Sequence, residues 1–227
     1  MRPEDIPDVV ALTAATWGPP PEEFRAGQDR RLGRPLESDP GGAWVAEHQG
    51  RLAGAALAIV RDGVWGLSLL IVYAEHHGTG AGRALFDRTL AYGEGSRGGI
   101  ILSSEHPAAM RLYVRAGFDL LPCVSLGGHV RTPPPPPAAV RDGDHGWIDE
   151  ISVAVRGVRY AADIPAMLAS GLTLRCVEGR GFLLARGSAV KLAAAADEEA
   201  ATWLLEDVLA RAGGEKVDVD FLTSGQG

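Results

Sequence analysis

Three alternating glycines form the segment of the chain that is most suited to chemistry. Gly78, Gly80 and Gly82 lie between an apolar segment, residues 64–73, and an amphipathic segment that ends near Tyr92. Glycine tolerates positive φ and lets a ligand approach the backbone. The start of a helix offers unpaired N–H groups and the positive end of its dipole. These glycines therefore predict an anion site, suited to a phosphate or pyrophosphate.

The same glycines do not fit two common nucleotide-binding patterns. The dinucleotide fingerprint needs a glycine where Arg83 or Leu85 stands, counted from Gly78 or Gly80. A Walker-type loop needs Gly-Lys before Ser or Thr, but Lys191 is the first lysine of the chain. Its late position also excludes a lysine nucleophile from all the residues before it. A glycine-rich turn required only for packing is the alternative interpretation.

Metal and thiol chemistry find little support in the sequence. His76 and His77 are adjacent, so their side chains point apart, and no third ligand beyond Glu75 is evident. Cys123 and Cys176 are far apart, which is neither a zinc spacing nor a disulfide framework and fits a reducing cytosol. We expect no metal site, and we interpret Cys123 as a small core residue rather than a covalent intermediate.

The composition disfavours several classes of protein. The 227 residues are 46% hydrophobic and 22% charged, which is typical of a globular protein with a sizeable core. The formal net charge of −7 disfavours a basic nucleic-acid-binding surface. No apolar run is long enough to span a membrane, and residues 1–5 show no feature of a secretory signal. We therefore expect a cytoplasmic protein with neither membrane nor nucleic-acid partners.

Five consecutive prolines, residues 133–137, mark the clearest boundary in the chain. Such a run forms a semi-rigid extended spacer, although a docking site for a proline-reading partner is an alternative. The sequence therefore predicts a first unit at residues 1–131, a proline-rich linker at 132–146 and a second unit at 147–227.

The element order of the first unit predicts a mixed α/β layer. Its predicted helices are residues 4–17, residues 21–33, a segment from the glycines to about Tyr92, and one from Pro107 to Gly117. Its predicted strands are residues 43–47, 52–60, 64–73, 100–103, 118–121 and 124–130. The third strand is apolar on both faces, as expected for a strand that is covered on both sides.

The second unit repeats the order of strand, helix and strand. Its predicted strands are residues 172–177, 181–185, 189–194 and 217–222. One predicted helix begins near residue 163, and a second covers residues 198–212. The turn before the long helix differs, since Asp197, Glu198 and Glu199 stand at that helix start. Carboxylates there satisfy the helix donors from within and would repel a phosphate. We therefore expect a degenerate repeat that does not bind an anion.

The glycine segment resembles the first signature of the GNAT N-acetyltransferase superfamily. That signature is Arg/Gln-x-x-Gly-x-Gly/Ala after an apolar strand. Gly80 and Gly82 match it, and His77 stands where Arg or Gln is usual.

A second segment, residues 109–118, resembles the family's other signature, Ala-x-x-x-Tyr-x-x-x-Gly-Phe. Tyr113 is its tyrosine, and Pro107 replaces the Asn that usually stands six residues earlier. Two ordered motifs are much more specific than either alone, and the resemblance covers roughly residues 1–130.

The resemblance implies a fold and a co-substrate. The fold is a GNAT-type mixed α/β sheet with splayed central parallel strands, here 64–73 and 100–103, followed by a second, partial GNAT-like unit. The co-substrate is acetyl-CoA, with no metal. Its pantetheine arm would pair with the backbone of Leu70, Ile71 and Val72. Its pyrophosphate would accept N–H bonds from the loop residues His77, Gly78, Thr79, Gly80, Ala81, Gly82 and Arg83.

The resemblance also implies catalytic roles. An amine would attack the thioester directly, and Tyr113 aligns with the family's general acid for the CoA thiolate, a core aromatic being the alternative. Family members often carry an acidic residue on the strand before the loop. This strand has none, and Ser68 is its only hydroxyl before Tyr73. Glu105 and His106 are candidate bases just past the next strand, directly or through water, with surface or capping roles as the alternative.

Three functions stay open on the sequence alone. The first is an N-acetyltransferase acting on a small-molecule or peptide amine, whose identity the sequence does not give. The second is a non-catalytic acyl-CoA-binding sensor or interaction module, supported by the departures at His77 and Pro107. The third is a structural α/β protein with a glycine turn. We expect a degenerate, non-catalytic second unit that packs, forms a homodimer or covers the substrate cleft.

Overall fold

The structure is a computed structural model, and it divides into two compact units, Met1–Asp119 and Leu120–Gly227. It describes residues 1–19, 27, 32–121, 123–143 and 146–222. Residues 32–38 are helical, whereas most of the helix predicted over residues 21–33 lies outside the described residues.

The first unit contains a four-stranded mixed sheet. Its elements in chain order are α1 (Ile6–Trp17), β1 (Ala43–His48), β2 (Arg51–Arg61), β3 (Val64–Val72), α2 (Ala81–Tyr92), β4 (Gly98–Ile101) and α3 (Pro107–Arg115). The strand order is β1-β2-β3-β4, with all neighbours antiparallel except the parallel pair β3–β4. The predicted mixed α/β layer is confirmed. β4 begins two residues earlier than predicted, because Gly98 and Gly99 already pair with β3.

Helices cover both faces of this sheet. α1 packs on one face through Val9 and Leu12. On the other face, Phe86 of α2 and Tyr113 of α3 pack around the ring of Trp65. The apolar character of β3 on both faces follows from this arrangement.

Two irregularities distinguish β3. Leu57 pairs with Leu69 while the next residue of β2 pairs with Leu67, so Ser68 is an extra residue that bulges from the ladder. Pairing with β4 ends at Leu67 and Ile101. β3 therefore continues over residues 68–72 without a partner strand on that side in the described part of the chain. We call the gap between residues 68–72 and the chain after Ile101 the wedge.

Asp39 is a buried carboxylate, 2% exposed, that joins several parts of the first unit. Its Oδ1 accepts hydrogen bonds from the Val60 N–H and the Tyr92 hydroxyl, both at 2.9 Å. Its Oδ2 accepts from the Ser38 hydroxyl at 2.6 Å and the Arg61 guanidinium at 2.8 Å. Burial opposes ionisation, but these four hydrogen bonds outweigh it and lower the pKa of Asp39. The network ties β2 and the end of α2 to the segment before β1.

The second unit contains a six-stranded sheet. Its elements are β5 (Cys123–His129), β6 (Arg141–Asp142), α4 (Ile148–Arg156), α5 (Ile164–Ala169), β7 (Thr173–Val177), β8 (Gly181–Arg186), β9 (Ala189–Ala195), α6 (Glu198–Arg211) and β10 (Lys216–Leu222). The strand order is β5-β10-β9-β8-β7-β6. β10 is parallel to β9, and the other neighbouring strands are antiparallel.

Four strands of this sheet repeat the topology of the first sheet. β7, β8 and β9 are consecutive antiparallel neighbours, as β1, β2 and β3 are. Lys191 is an extra residue in β9, as Ser68 is in β3. β10 follows a helix and runs parallel to β9 with a single register pair, Asp218 with Ala189. The predicted order of strand, helix and strand is confirmed over these elements.

The position of β5 corrects the predicted unit boundaries. β5 pairs with β10 over all its residues, and the division between the units lies between Asp119 and Leu120 rather than in the proline run. The prolines lie within the second unit, where the Pro137 carbonyl accepts a hydrogen bond from Val140, a residue of that unit's core. Residues 118–121 form no strand. Local pattern identifies a strand but not its sheet, and a proline run can cross one unit as well as join two.

Removing the Asp39 charge tests the network. We expect Asp39→Asn to lower the free energy of unfolding at pH 7 by about 3 kcal/mol, because Arg61 loses its buried partner. Tyr92→Phe, which removes one hydrogen bond, should cost about 1 kcal/mol.

The stabilisation that Asp39 gives to the folded protein should decrease in acid. The folded pKa of Asp39 lies below its ordinary value of about 3.9, so its stabilisation is present above that pH and is lost as the pH falls toward the folded pKa. Urea denaturation should therefore show the difference between wild type and Asp39→Asn shrinking in acid. Equal stability of the two proteins at pH 7 would contradict the account.

Candidate functional site

The loop between β3 and α2 presents unpaired backbone N–H groups at its surface. The chain makes a 3-10 turn at Ala74–His76, and Gly80, at φ +91°, is the residue before α2. The first N–H groups of the helix have no carbonyl of their own to bind, and Gly80, the N-cap residue, has no side chain to cap them. The Thr79 hydroxyl lies 3.5 Å from the Ala81 nitrogen, at the limit of a hydrogen bond. The loop therefore offers donors and a positive dipole end to an anion.

Gly78 and Gly80 are required by the shape of the backbone rather than by close packing. Their φ angles are +76° and +91°, in the region that favours glycine. A Cβ on either residue would meet no atom within 4 Å. A Cβ on Gly82 would lie 3.6 Å from the Val72 side chain, at ordinary van der Waals distance. The interpretation of the glycines as packing residues is therefore wrong for Gly78 and Gly80, over which the space is open.

The open edge of β3 carries backbone groups that face the wedge. The Tyr73 N–H donates to the Ala53 carbonyl of the neighbouring strand at 3.0 Å. Since the direction of backbone groups alternates along a strand, Ile71 also faces β2, whereas Leu70 and Val72 face away from it. Two of the three strand residues predicted to bind a ligand through their backbone are thus directed to the open side.

His77 lies against this edge. Its Nε2 donates to the Val72 carbonyl at 3.0 Å, so that nitrogen carries the proton. Its ring also contacts the ring of His106, with centroids 5.9 Å apart in an edge-to-face arrangement. Sequence reasoning assigned His77 to the loop and His106 to the next strand's end, but nothing in the sequence indicated that the two rings meet.

Arg83 supplies positive charge beside the uncapped helix start. It lies in the first turn of α2 and is exposed. Its contact with Asp87, one turn further, is 3.6 Å and is solvent-exposed, which makes it a weak pair. The guanidinium can therefore turn toward an anion at the loop at little cost.

Tyr113 lies where α3 packs on the sheet. It is 7% exposed, and its ring packs against Phe86 with centroids 5.3 Å apart. Burial raises the pKa of Tyr113 above its usual value. Among the described residues we find no hydrogen-bond partner for its hydroxyl. The residue is thus a core aromatic by packing, yet its hydroxyl proton is uncommitted.

The structure places the other two predicted catalytic residues on the surface of the first unit. Ser68 is exposed and is the bulged residue of β3, a feature that the sequence pattern did not signal. Glu105 is exposed in the turn before α3. Within the described residues, no hydrogen bond joins Glu105 to Ser68 or to Tyr113.

The corresponding turn of the second unit is closed by its own side chains. Asp197 precedes α6, and its Oδ1 accepts a hydrogen bond from the Ala200 N–H at 2.9 Å. The Arg180 guanidinium binds Asp197 at 2.6 Å and Glu199 at 2.8 Å. The hydrogen bond from Arg180 is the main cause of a lowered pKa of Asp197, and the bond from the Ala200 N–H lowers that pKa further. The expectation that carboxylates satisfy this helix start from within agrees with the contacts of Asp197.

In the residues that the structure describes, no three His, Cys, Asp or Glu side chains are grouped so that they could hold a metal ion. No helix within the described ranges has the length and apolar character to cross a membrane. Cys176 is buried in the second unit and forms no disulfide, and the side chain of Cys123 lies outside the described ones.

Solved structures share this fold. A Pyrococcus horikoshii protein described as an acetyltransferase superposes with a TM-score of 0.77 at 20% identity, over 96% of this chain and 77% of its own. A GCN5-related N-acetyltransferase from Kribbella flavida has a TM-score of 0.62 at 16% sequence identity, over 99% of this chain and 64% of its own. A GCN5-related N-acetyltransferase from Sphaerobacter thermophilus has a TM-score of 0.57 at 18% sequence identity, over 100% of this chain and 87% of its own. The architecture is therefore that of GNAT acetyltransferases.

The family assignment comes from the first unit. The model of the acetyltransferase (GNAT) family matches residues 9–118, and no curated protein matches the chain. Residues 9–118 therefore form a GNAT acetyltransferase domain, as its two signatures indicated. Acyl transfer is the general activity that this domain supports.

The melting temperatures of two variants test the contrast between the starts of α2 and α6. Asp197→Ala should lower the melting temperature by about 2–4 °C, because the Ala200 N–H loses its cap. Thr79→Ala should change it by less than about 1 °C, because the contact of 3.5 Å between the Thr79 hydroxyl and the Ala81 nitrogen is too long to be a strong cap. Equal losses in the two variants, measured by circular dichroism, would show that the α2 start is also capped from within.

Proposed function

We propose that this protein is an acyl-CoA-dependent N-acyltransferase that transfers an acetyl group from acetyl-CoA to a primary amine. The observation that carries the proposal is the uncapped start of α2 behind Gly78 and Gly80, next to the open edge of β3. The GNAT acetyltransferase domain supports the reaction class. A thiol-release assay with acetyl-CoA and a panel of small-molecule and peptide amines tests the proposal, and release that no amine stimulates would overturn it.

The carrier's diphosphate would be bound by the loop. The N–H groups of Gly82 and Arg83 are donors that the helix leaves unused, and that of Ala81 has only the long contact of 3.5 Å with the Thr79 hydroxyl. The helix dipole favours negative charge there. The exposed Arg83 guanidinium adds a positive charge at the same end. The rest of the loop, His77 to Gly80, brings its backbone close to the ligand without obstruction at the two glycines.

The pantetheine arm would extend β3 like an added strand. Its amides match the N–H and C=O groups of Leu70 and Val72, which face the wedge. The bulge at Ser68 removes that residue from the ladder with β2. Its backbone N–H is our candidate donor to the thioester oxygen, where negative charge develops during attack.

The transfer itself needs one proton donor and one proton acceptor. The amine nitrogen attacks the thioester carbon, the C–S bond breaks, and the thiolate takes a proton from the Tyr113 hydroxyl. The raised pKa of Tyr113 keeps its phenol protonated at neutral pH, so the phenol has a proton to donate. The leaving thiolate accepts a proton at neutral pH, because a free thiol has a pKa of about 8.5. The phenol is regenerated by proton exchange with solvent.

The amine must lose a proton before or during attack. β3 carries no carboxylate, so the base is sought at the end of β4. Glu105 and His106 are exposed there and can accept the proton directly or through a water molecule. Ser68, exposed on the bulge, is a candidate to orient the amine or that water.

One observation favours a second candidate function. The absence of a carboxylate on β3 suits a module that binds acyl-CoA without catalysis. Both functions require binding of the carrier, but only the enzyme releases CoA thiol in an amine-dependent way. We assign no carrier-binding role to the second unit, since Asp197 occupies its helix start.

Gly80→Ala tests the loop against a matched control. The backbone at φ +91° disfavours any residue with a Cβ, so the loop should shift and the affinity for CoA should fall by about tenfold or more. Gly95→Ala, at φ +83° and with equally open space, should bring a similar loss of stability and no loss of affinity. Calorimetric titration with CoA measures both, and equal affinities of the two variants would refute the role of the loop.

Tyr113→Phe separates chemistry from binding. We expect kcat to fall by about 100-fold, because the general acid is lost, while the affinity for CoA stays unchanged. Stability should change little, because the ring still packs on Phe86 and the hydroxyl has no partner in the described residues. An unchanged kcat in the thiol-release assay would exclude Tyr113 as the acid.

A further inference from the structure

Two histidines meet across the wedge. β3 and β4 part after Leu67 and Ile101, yet the turns that follow them bring His77 and His106 together, with ring centroids 5.9 Å apart and planes at 72°. Each histidine comes five residues after the end of its strand. The contact therefore joins the two sides of the gap at the end where the strands are no longer paired.

The His77 ring is held from both sides of this gap. On the β3 side its Nε2 donates to the Val72 carbonyl at 3.0 Å. On the other side it meets the His106 ring, at the residue before α3. The Val72 carbonyl is one of the backbone groups directed away from β2 and into the wedge. The ring thus occupies a hydrogen-bonding position of the open edge.

We propose that His77 and His106 form a latch across the wedge, which must open before the pantetheine arm of an acyl carrier can pair with Val72. This inference rests on the proposed function. The His77 imidazole and an amide of the arm compete for the same carbonyl, so the closed latch lowers the apparent affinity by the fraction of molecules that are closed.

The local backbone suits such a movement. His77 is followed by Gly78, at φ +76° and with no neighbour to a Cβ within 4 Å. Both histidines are exposed, so opening transfers two imidazoles to water and leaves no buried group without a partner. The His106 side chain does not cap α3, so its removal should not disturb the helix that carries Tyr113.

The test compares the association rate of CoA, measured by stopped-flow mixing, and its affinity, measured by calorimetry. His106→Ala removes one side of the latch, so the association rate and the affinity should both rise by about two- to fivefold, the range expected for loss of one exposed ring contact. His106→Phe keeps a ring for His77 to contact and should bind at nearly the wild-type rate. His129→Ala, an exposed histidine of the second unit, is the unrelated control.

The outcomes separate the latch from the proposed function. An unchanged or slower association in His106→Ala overturns the latch, while amine-dependent release of CoA thiol by the wild type still upholds the proposed function. Absence of CoA binding in every variant overturns both. The imidazole proton resonances of His106 give a readout without ligand: they should shift in His77→Ala, and an unchanged spectrum overturns the latch regardless of binding.

Discussion

The early end of pairing between β3 and β4 is the constraint on which the site depends. The two strands share four register pairs, from Val64–Gly98 to Leu67–Ile101. Beyond them, β3 keeps its ladder with β2 but offers its other edge to a ligand. The bulge at Ser68 lies where the pairing stops. A sheet that paired along its full length would leave neither an open edge nor space for an extended carrier.

The second unit shows what the same topology does with a different turn. It also has a bulged third strand, a following helix and a parallel strand with a single register pair. Its helix start, however, is occupied by Asp197 and reinforced by Arg180. Topology alone therefore does not make an anion site. The side chains before the helix decide whether its donors are used within the protein or are left for a ligand.

The sequence predicted the parts of this fold that local pattern controls. The glycine turn, the helix behind it and the carboxylates at Asp197 each follow from residue type and spacing. The bulge at Ser68, the assignment of β5 to the second sheet and the buried network of Asp39 depend on pairing between distant segments. Periodicity carries no information about such partners. For the same reason the contact between His77 and His106 could not be foreseen.

The central claim is that the backbone amides at residues 78–83 hold the diphosphate of an acyl carrier. Titration of CoA into isotope-labelled protein, followed by amide NMR, tests it most directly. We expect saturable downfield shifts of the amide protons of residues 78–83, as they donate to phosphate oxygens, and no such shifts at residues 197–200 before and within α6. Saturable shifts confined to other parts of the chain, or no shifts at millimolar CoA, would contradict the account.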